Sequence, residues 1–294
     1  EEMELQAGRT TAKRVVEQFR SEATQGNPVI FAYNSETDRL ISFNANTPGT
    51  LIVDVEVSGI DLAGGEFISG IDFRPSNQTL YGIATKGFPG SDRVVTIDTT
   101  TGVCTFVNAA TTFATTQDTF FGTDFNPAAD LIRQVGDAET NRRITPGTGA
   151  LTGTDTNLAY AAGDPNAGAN PNVNHVAYSN NTPGATSTTL YGIDVNLNNL
   201  VRIGGVGGSP SPNGGQLTTI GSLVVNPTNF GAFDIQQGTD IGYAALNIDN
   251  EPTLARVNLA TGEATPIGVI SDGGGRIDGL AISFSATGGS ANLG

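Results

Sequence analysis

A pair of strand patterns recurs along this chain about every fifty residues, and that recurrence limits the possible folds more than any other feature. The first pattern is Gly70-Ile71-Asp72-Phe73-Arg74-Pro75, followed by Thr79-Leu80-Tyr81-Gly82-Ile83. It returns as Gly122-Thr123-Asp124-Phe125-Asn126-Pro127 with residues 131–135, and as His175-Val176-Ala177-Tyr178 with Thr189-Leu190-Tyr191-Gly192-Ile193. A fourth copy is Ala232-Phe233-Asp234-Ile235 with residues 242–246. Aligned on Asp72, Asp124, Ala177 and Asp234, the copies lie 52, 53 and 57 residues apart.

The second pattern is a hairpin with a Gly-containing turn. It reads Val94-Val95-Thr96-Ile97-Asp98, a turn at Thr101-Gly102, then residues 104–107. Copies turn at Thr148-Gly149 and Thr261-Gly262, with a looser one at Pro48-Gly49. Glycine supplies the positive φ such turns need, and the polar residue closing the first strand can bond the turn backbone.

Together the patterns predict four complete blades of a β-propeller, at residues 66–110, 118–158, 173–224 and 229–270. The leftovers are complementary. Residues 277–284 form an inner strand without partners, and three strands near 29–34, 39–44 and 50–57 lack an inner strand. Joined, they make a fifth blade that closes the ring and protects its edges. The fold expected is therefore all-β, a five-bladed propeller closed by pairing of its N- and C-terminal strands, with residues 28–294 as one domain. A β-sandwich is the rival, and it explains neither the repeat nor the complementary ends. Insertions stand out at residues 159–172 and 204–216, the second rich in Gly, Ser and Pro and read as a flexible loop.

Residues 1–27 form an extension that the ring does not need. Ala12, Val15, Val16, Phe19 and Ala23 share one face of a helix over residues 11–23. Before it, Glu2-Met3-Glu4-Leu5-Gln6 alternates like a short strand. Met3, Leu5, Val15, Val16 and Phe19 are the candidate assembly contacts. A strand donated to a neighbour's open blade edge, anchored by the helix, gives a head-to-tail homo-oligomer or polymer. The alternative is that the segment packs on its own ring.

The segments LISFNANTPG, GIDFRPSNQTLYGIAT, TDFNPAADLIRQV and LAYAAGDPNAGANPNV resemble a family of exported bacterial propeller-like domains of unknown function. The resemblance runs over residues 28–284. It implies export and a repeated β architecture, brings no activity or catalytic residue, and leaves the first 27 residues outside it.

Composition narrows function further. The net charge is −15 with two lysines, so a polyanion is repelled and no nucleic-acid partner is expected. No apolar run is long enough for a membrane helix. Low Lys, abundant Gly and a single Cys suggest a secreted or cell-surface protein. Cys104 allows no internal disulfide and reads as a small core residue. One histidine, His175, excludes His-pair metal sites, and the nucleophile elbow and phosphate-loop motifs are absent. His175 reads as a polar loop or strand-start residue. Asp194-Val195-Asn196-Leu197-Asn198 begins like a calcium loop but lacks its Gly and Glu, so a turn is expected. The six tyrosines read as packing.

Asp72, Asp124 and Asp234 are the weak metal candidates. On innermost strands they would ring the axis, where carboxylates bind Ca²⁺ or do acid–base work. Alternatively, each bonds backbone N–H groups of the next blade and fixes the ring. The repetition favours this second reading, because structure recurs in every blade while a site does not. No cofactor is expected, and the expected role is that of a non-enzymatic extracellular structural or interaction protein. The alternatives are a ring that binds a cation or glycan on its axis, or a carboxylate-dependent glycan hydrolase.

Overall fold

A computed structural model describes residues 27–271 and 276–284. Its strands are β1 (Val29–Asn34), β2 (Arg39–Asn44), β3 (Leu51–Glu56), β4 (Phe67–Phe73), β5 (Leu80–Thr85), β6 (Ser91–Ile97), β7 (Cys104–Phe106) and β8 (Phe113–Ala114). Next come β9 (Phe121–Asn126), β10 (Leu131–Gly136), β11 (Asn141–Ile144), β12 (Leu151–Thr154), β13 (Ala159–Tyr160), β14 (Val173–Tyr178), β15 (Leu190–Asp194) and β16 (Asn199–Ile203). The chain continues through β17 (Gln216–Ser222), β18 (Gly231–Ile235), β19 (Ile241–Ile248), β20 (Glu251–Asn258), β21 (Ala264–Val269) and β22 (Ile277–Ile282).

These strands form five antiparallel blades, matching the expected count. Blade 1 has the order β22-β1-β2-β3; blades 2 to 5 begin with β4, β9, β14 and β18. β22 lies antiparallel to β1, with Leu280 opposite Ala32 and Gly279 opposite Tyr33, so the two chain ends close one blade. The inner strands touch in the cycle β22, β4, β9, β14, β18 and back to β22. The insertion at 159–172 opens with β13, which adds in parallel to the outer edge of β17.

Burial follows position in the blade. β5, packed on both faces, is buried at all six residues, whereas the outer strand β3 alternates between exposed and half-buried. The apolar core is divided among the blade interfaces. Phe31, Leu40, Ile71 and Leu80 fill the gap between blades 1 and 2, and Ile193, Leu200, Phe233 and Ala244 fill that between blades 4 and 5. The inner strands approach closely: a Cβ on Gly122 would lie 2.9 Å from Val176 N and 3.0 Å from Asn174 O, which only glycine avoids.

The hairpin turns form as the residues dictate. Gly102, Gly149 and Gly262 have φ of 73°, 71° and 86°, and Asp98 and Asn258 accept N–H bonds from the turns they close. Gly49 is the exception. It is not among the positive-φ residues, because the β2–β3 connection turns over Asn44 and Thr47 instead.

Two other expectations need correcting. His175 is neither in a loop nor at a strand start. It is the third residue of β14, fully buried, and its Nε2 faces Gly231 of the next blade, where a Cβ would come within 2.7 Å. The 204–216 segment is tied down rather than loose: Gly207 N donates to Thr189 Oγ1 at 2.9 Å, and Asn213 Oδ1 accepts from the Arg133 guanidinium at 2.7 Å.

Candidate functional site

The three sequence-flagged carboxylates meet. Asp72, Asp124 and Asp234 sit at one level of β4, β9 and β18, each at most 2% exposed, with a carboxylate oxygen from each lying within 4.8 Å of the others. The alternation of β-strands puts them there: each falls one residue before Phe73, Phe125 and Ile235 in register-matched strands. In blades 4 and 1 the same place holds Ala177 and Ala281.

Their hydrogen bonds decide what they do. Five inner N–H groups point toward this level, on Phe73, Phe125, Tyr178, Ile235 and Ile282. Asp72 accepts from Phe73 in its own blade at 2.6 Å and from Phe125 in the next at 2.7 Å. Asp124 accepts from Tyr178 in the next blade at 3.2 Å. Asp234 accepts from Ile235 at 2.6 Å and from Ile282 in the next blade at 2.7 Å. The rule is consistent: an aspartate covers the N–H ahead of it, and covers its own where the preceding blade has alanine. Three carboxylates thus satisfy five donors that would otherwise be buried without partners, each such loss costing about 1–3 kcal/mol.

Burial pushes all three carboxyls upward, and repulsion from neighbouring carboxylates adds to it for Asp72 and Asp124. Asp72 and Asp124 titrate well above the ordinary range, chiefly through desolvation and then through neighbouring carboxylates, and desolvation raises Asp234 to about 7. The ring therefore keeps protons on this cluster at pH values where exposed aspartates have lost them.

The inner strands pack closely next to the carboxylate level. The void among the inner strands, lined by Gly70, Thr123, Val176, Phe233 and Leu280, measures about 10 Å³, at the lower limit for one water. Near the start of the inner strands, Phe120 and Phe230 of non-neighbouring blades meet edge to face at 5.1 Å, and the Arg276 guanidinium lies 4.4 Å from the Phe230 ring. With one oxygen of each carboxylate within 4.8 Å of the others, a sugar ring does not fit between them. The donor set would suit a hard cation only if backbone N–H bonds were surrendered to it.

The other sequence candidates resolve plainly. Cys104 is buried, and its thiol is pushed up to about 12 by desolvation, so it is inert. Burial lowers His175 to about 4, leaving it neutral, with Nδ1 on Asn174 O at 2.8 Å. Asp194 closes a turn, accepting from Asn196 and Leu197 N–H groups, as expected of a failed calcium loop. Met3, Leu5, Val15, Val16 and Phe19 lie outside the described residues.

What the sequence did not reveal is the polar character of blade 3. Arg142 is buried against Asp92 of blade 2 at 2.5 Å and against Gln134, and Arg133 is buried against Asp155 at 2.5 Å. The signal for Arg133 was present in the repeat. Opposite the axial aspartate or alanine stand Tyr81, Tyr191, Tyr243 and Phe31 in four blades, and Arg133 in the fifth.

A family model described as a domain of unknown function (DUF4394) matches residues 11–281. The chain belongs to that family. The family match begins earlier than the resemblance in the sequence suggested, so the helical pattern at residues 11–23 falls inside it rather than being particular to this chain. No curated protein matches the chain.

Among solved structures, a chain in the crystal structure of a nidogen/laminin complex is 10% identical, with a TM-score of 0.46, covering 88% of this chain and 99% of that one. A protein of unknown function from Bacteroides thetaiotaomicron VPI-5482 is 14% identical with a TM-score of 0.46, covering 82% of this chain and 55% of that one. A putative 6-phosphogluconolactonase from Bacteroides uniformis ATCC 8492 is 13% identical with a TM-score of 0.40, covering 84% and 68%. Identities this low carry no activity across.

Proposed function

We propose that this chain is a non-enzymatic interaction protein of the cell exterior, a rigid ring that assembles with further copies of itself through the extension at residues 1–27. The observation that supports this most is that the ring is complete without them. Every blade has its four strands within residues 29–282, and closure uses β22 and β1. The helical and alternating patterns read in the sequence there are then surplus to the propeller, and the apolar residues they align call for a surface to cover.

The blades offer such a surface. β3, β12 and β21 each end a sheet, with one edge unpaired among the described strands, and they carry the exposed apolar side chains Ile52, Leu151 and Val269. An added strand gains main-chain hydrogen bonds along such an edge and packs alternate side chains beside these residues. The non-enzymatic part of the reading rests on the axis, whose carboxylates are engaged by backbone N–H groups. The extracellular part rests on composition, with two lysines and one buried cysteine in 294 residues.

Sedimentation velocity tests the reading. The intact chain should sediment as oligomers whose size grows with concentration, and the double variant Val15→Asp/Phe19→Asp should sediment as a monomer. Monomers from both across the micromolar range would refute it.

A further inference from the structure

The repeat fails most sharply at Arg133, and a cleft lies beside that failure. In four blades an aromatic ring occupies this register and packs between blades. In blade 3 the guanidinium of Arg133 replaces it, 1% exposed, bonded to Asn141 Oδ1 at 2.6 Å, Asp155 Oδ2 at 2.5 Å and Asn213 Oδ1 at 2.7 Å, with Tyr178 Oη at 3.3 Å. Beside it, between blades 3 and 4, lies a cleft of about 270 Å³. Its far wall is built from the two long connections of blade 4, one joining β14 to β15 and one joining β16 to β17, the latter held in place by Arg133 itself.

The lining is chemically specific. Its charged residues, among those described, are Arg133 and Arg143. One carboxylate, Asp155, is shared by both, accepting from Arg143 Nε and Nη2 at 2.8 Å each. Two guanidiniums against one carboxylate leave the cleft with a net positive charge in a chain of net charge −15. Arg143 is 28% exposed at its side chain, and its Nη1 lies outside the ion pair. Around the arginines stand hydroxyls from Tyr178, Thr186, Ser187 and Ser211. The volume is just below the ~300–1,000 Å³ range of drug-sized pockets, which suits a single small ring.

We propose that this cleft binds one uronic-acid sugar, with the carboxylate on Arg143 and the ring hydroxyls on the Thr186, Ser187 and Ser211 wall. Arg133 acts as a positioning residue. It holds Asp155 and the blade 4 connection so that Arg143 presents its outer nitrogen. A guanidinium pre-oriented by a bidentate partner recognises a planar carboxylate directionally, and hydroxyl-rich walls match a polyol better than an aliphatic acid.

Isothermal titration of the full chain with glucuronate, galacturonate, glucose and succinate tests the assignment. Two variants accompany it. Arg143→Gln removes the charge while Arg133 still pairs with Asp155, and Ala129→Trp fills the cleft from the exposed β9–β10 turn. A melting temperature near that of the parent verifies that each folds. The uronates should bind, glucose and succinate should bind at least about tenfold more weakly, Arg143→Gln should lose about tenfold for the uronates, and Ala129→Trp should abolish binding. Trigalacturonate separates the sources: affinity equal to the monosaccharide supports recognition of a glycan chain end, and exclusion supports a free sugar. No uronate binding, binding untouched by both variants, or equal affinity for glucose or succinate would overturn the proposal.

Discussion

Asp72 joins two blades through one carboxylate: Oδ1 accepts the N–H of Phe73 beside it, and Oδ2 accepts the N–H of Phe125 in the next blade. Asp234 repeats the arrangement with Ile235 and Ile282, whereas Asp124 accepts a single N–H, from Tyr178. This asymmetry orders the effects of substitution.

Asparagine keeps one acceptor oxygen and turns the other into a donor. In Asp72→Asn or Asp234→Asn that donor confronts a backbone N–H, and the loss should be about 1–3 kcal/mol. In Asp124→Asn the remaining oxygen still serves Tyr178, and repulsion within the cluster falls, so the cost should be below about 1 kcal/mol. Thermal denaturation of the three variants checks the order. A destabilisation by Asp124→Asn equal to the others would contradict it.

The same cluster sets a pH dependence. All three carboxyls titrate above their unfolded value near 3.8 in the folded ring, Asp234 at about 7. Between these pH values the folded state binds more protons than the unfolded chain, so the cluster's contribution falls as pH rises. Urea denaturation at pH 5 and pH 8 should show a larger loss of stability in the parent than in Asp234→Asn. Equal losses would mean that the carboxyls titrate normally.

Buried and surface ion pairs should separate cleanly. Arg142→Ala leaves Asp92 buried without its charge partner between blades 2 and 3 and should cost about 3–5 kcal/mol. Arg39→Ala removes a pair whose side chains are 34% and 47% exposed and should cost less than about 1 kcal/mol. Comparable effects would show that the polar face of blade 3 is not what holds it to blade 2.

Calcium and chelator should leave the protein unchanged. Five of the six axial carboxylate oxygens accept a backbone N–H, and a cation would have to compete with those bonds. A ligand at a hundred times its Kd adds about 2.7 kcal/mol to stability, so even modest binding would raise the melting temperature measurably. A rise of several degrees with millimolar Ca²⁺, reversed by EDTA, would reassign the three aspartates as a cation site.

The ring was legible in the sequence because most blades repeat the same local solution: an inner strand with an axial Asp in three blades, a hairpin with an αL glycine in three, and complementary strand segments at both ends. The convergence of Asp72, Asp124 and Asp234 followed from that alignment, as did their role toward the backbone. The division of five N–H groups among three carboxylates was not legible, since it depends on which blade precedes which around the circle. Arg142 and Asp92 are fifty residues apart in different blades, and no local pattern couples them. Arg133 was hidden for another reason. An alignment built on what recurs passes over the one position where an aromatic gives way to a charge. His175 misled because a lone polar residue at the head of a strand pattern looks exposed, whereas Gly231 in the next blade makes room for it.

Negative-stain electron microscopy of the intact chain beside a chain lacking residues 1–27 tests the proposed assembly most directly. Strings or filaments from the intact chain and single five-bladed rings from the shortened one are the predicted result. Single rings from both would contradict assembly through the N-terminal segment.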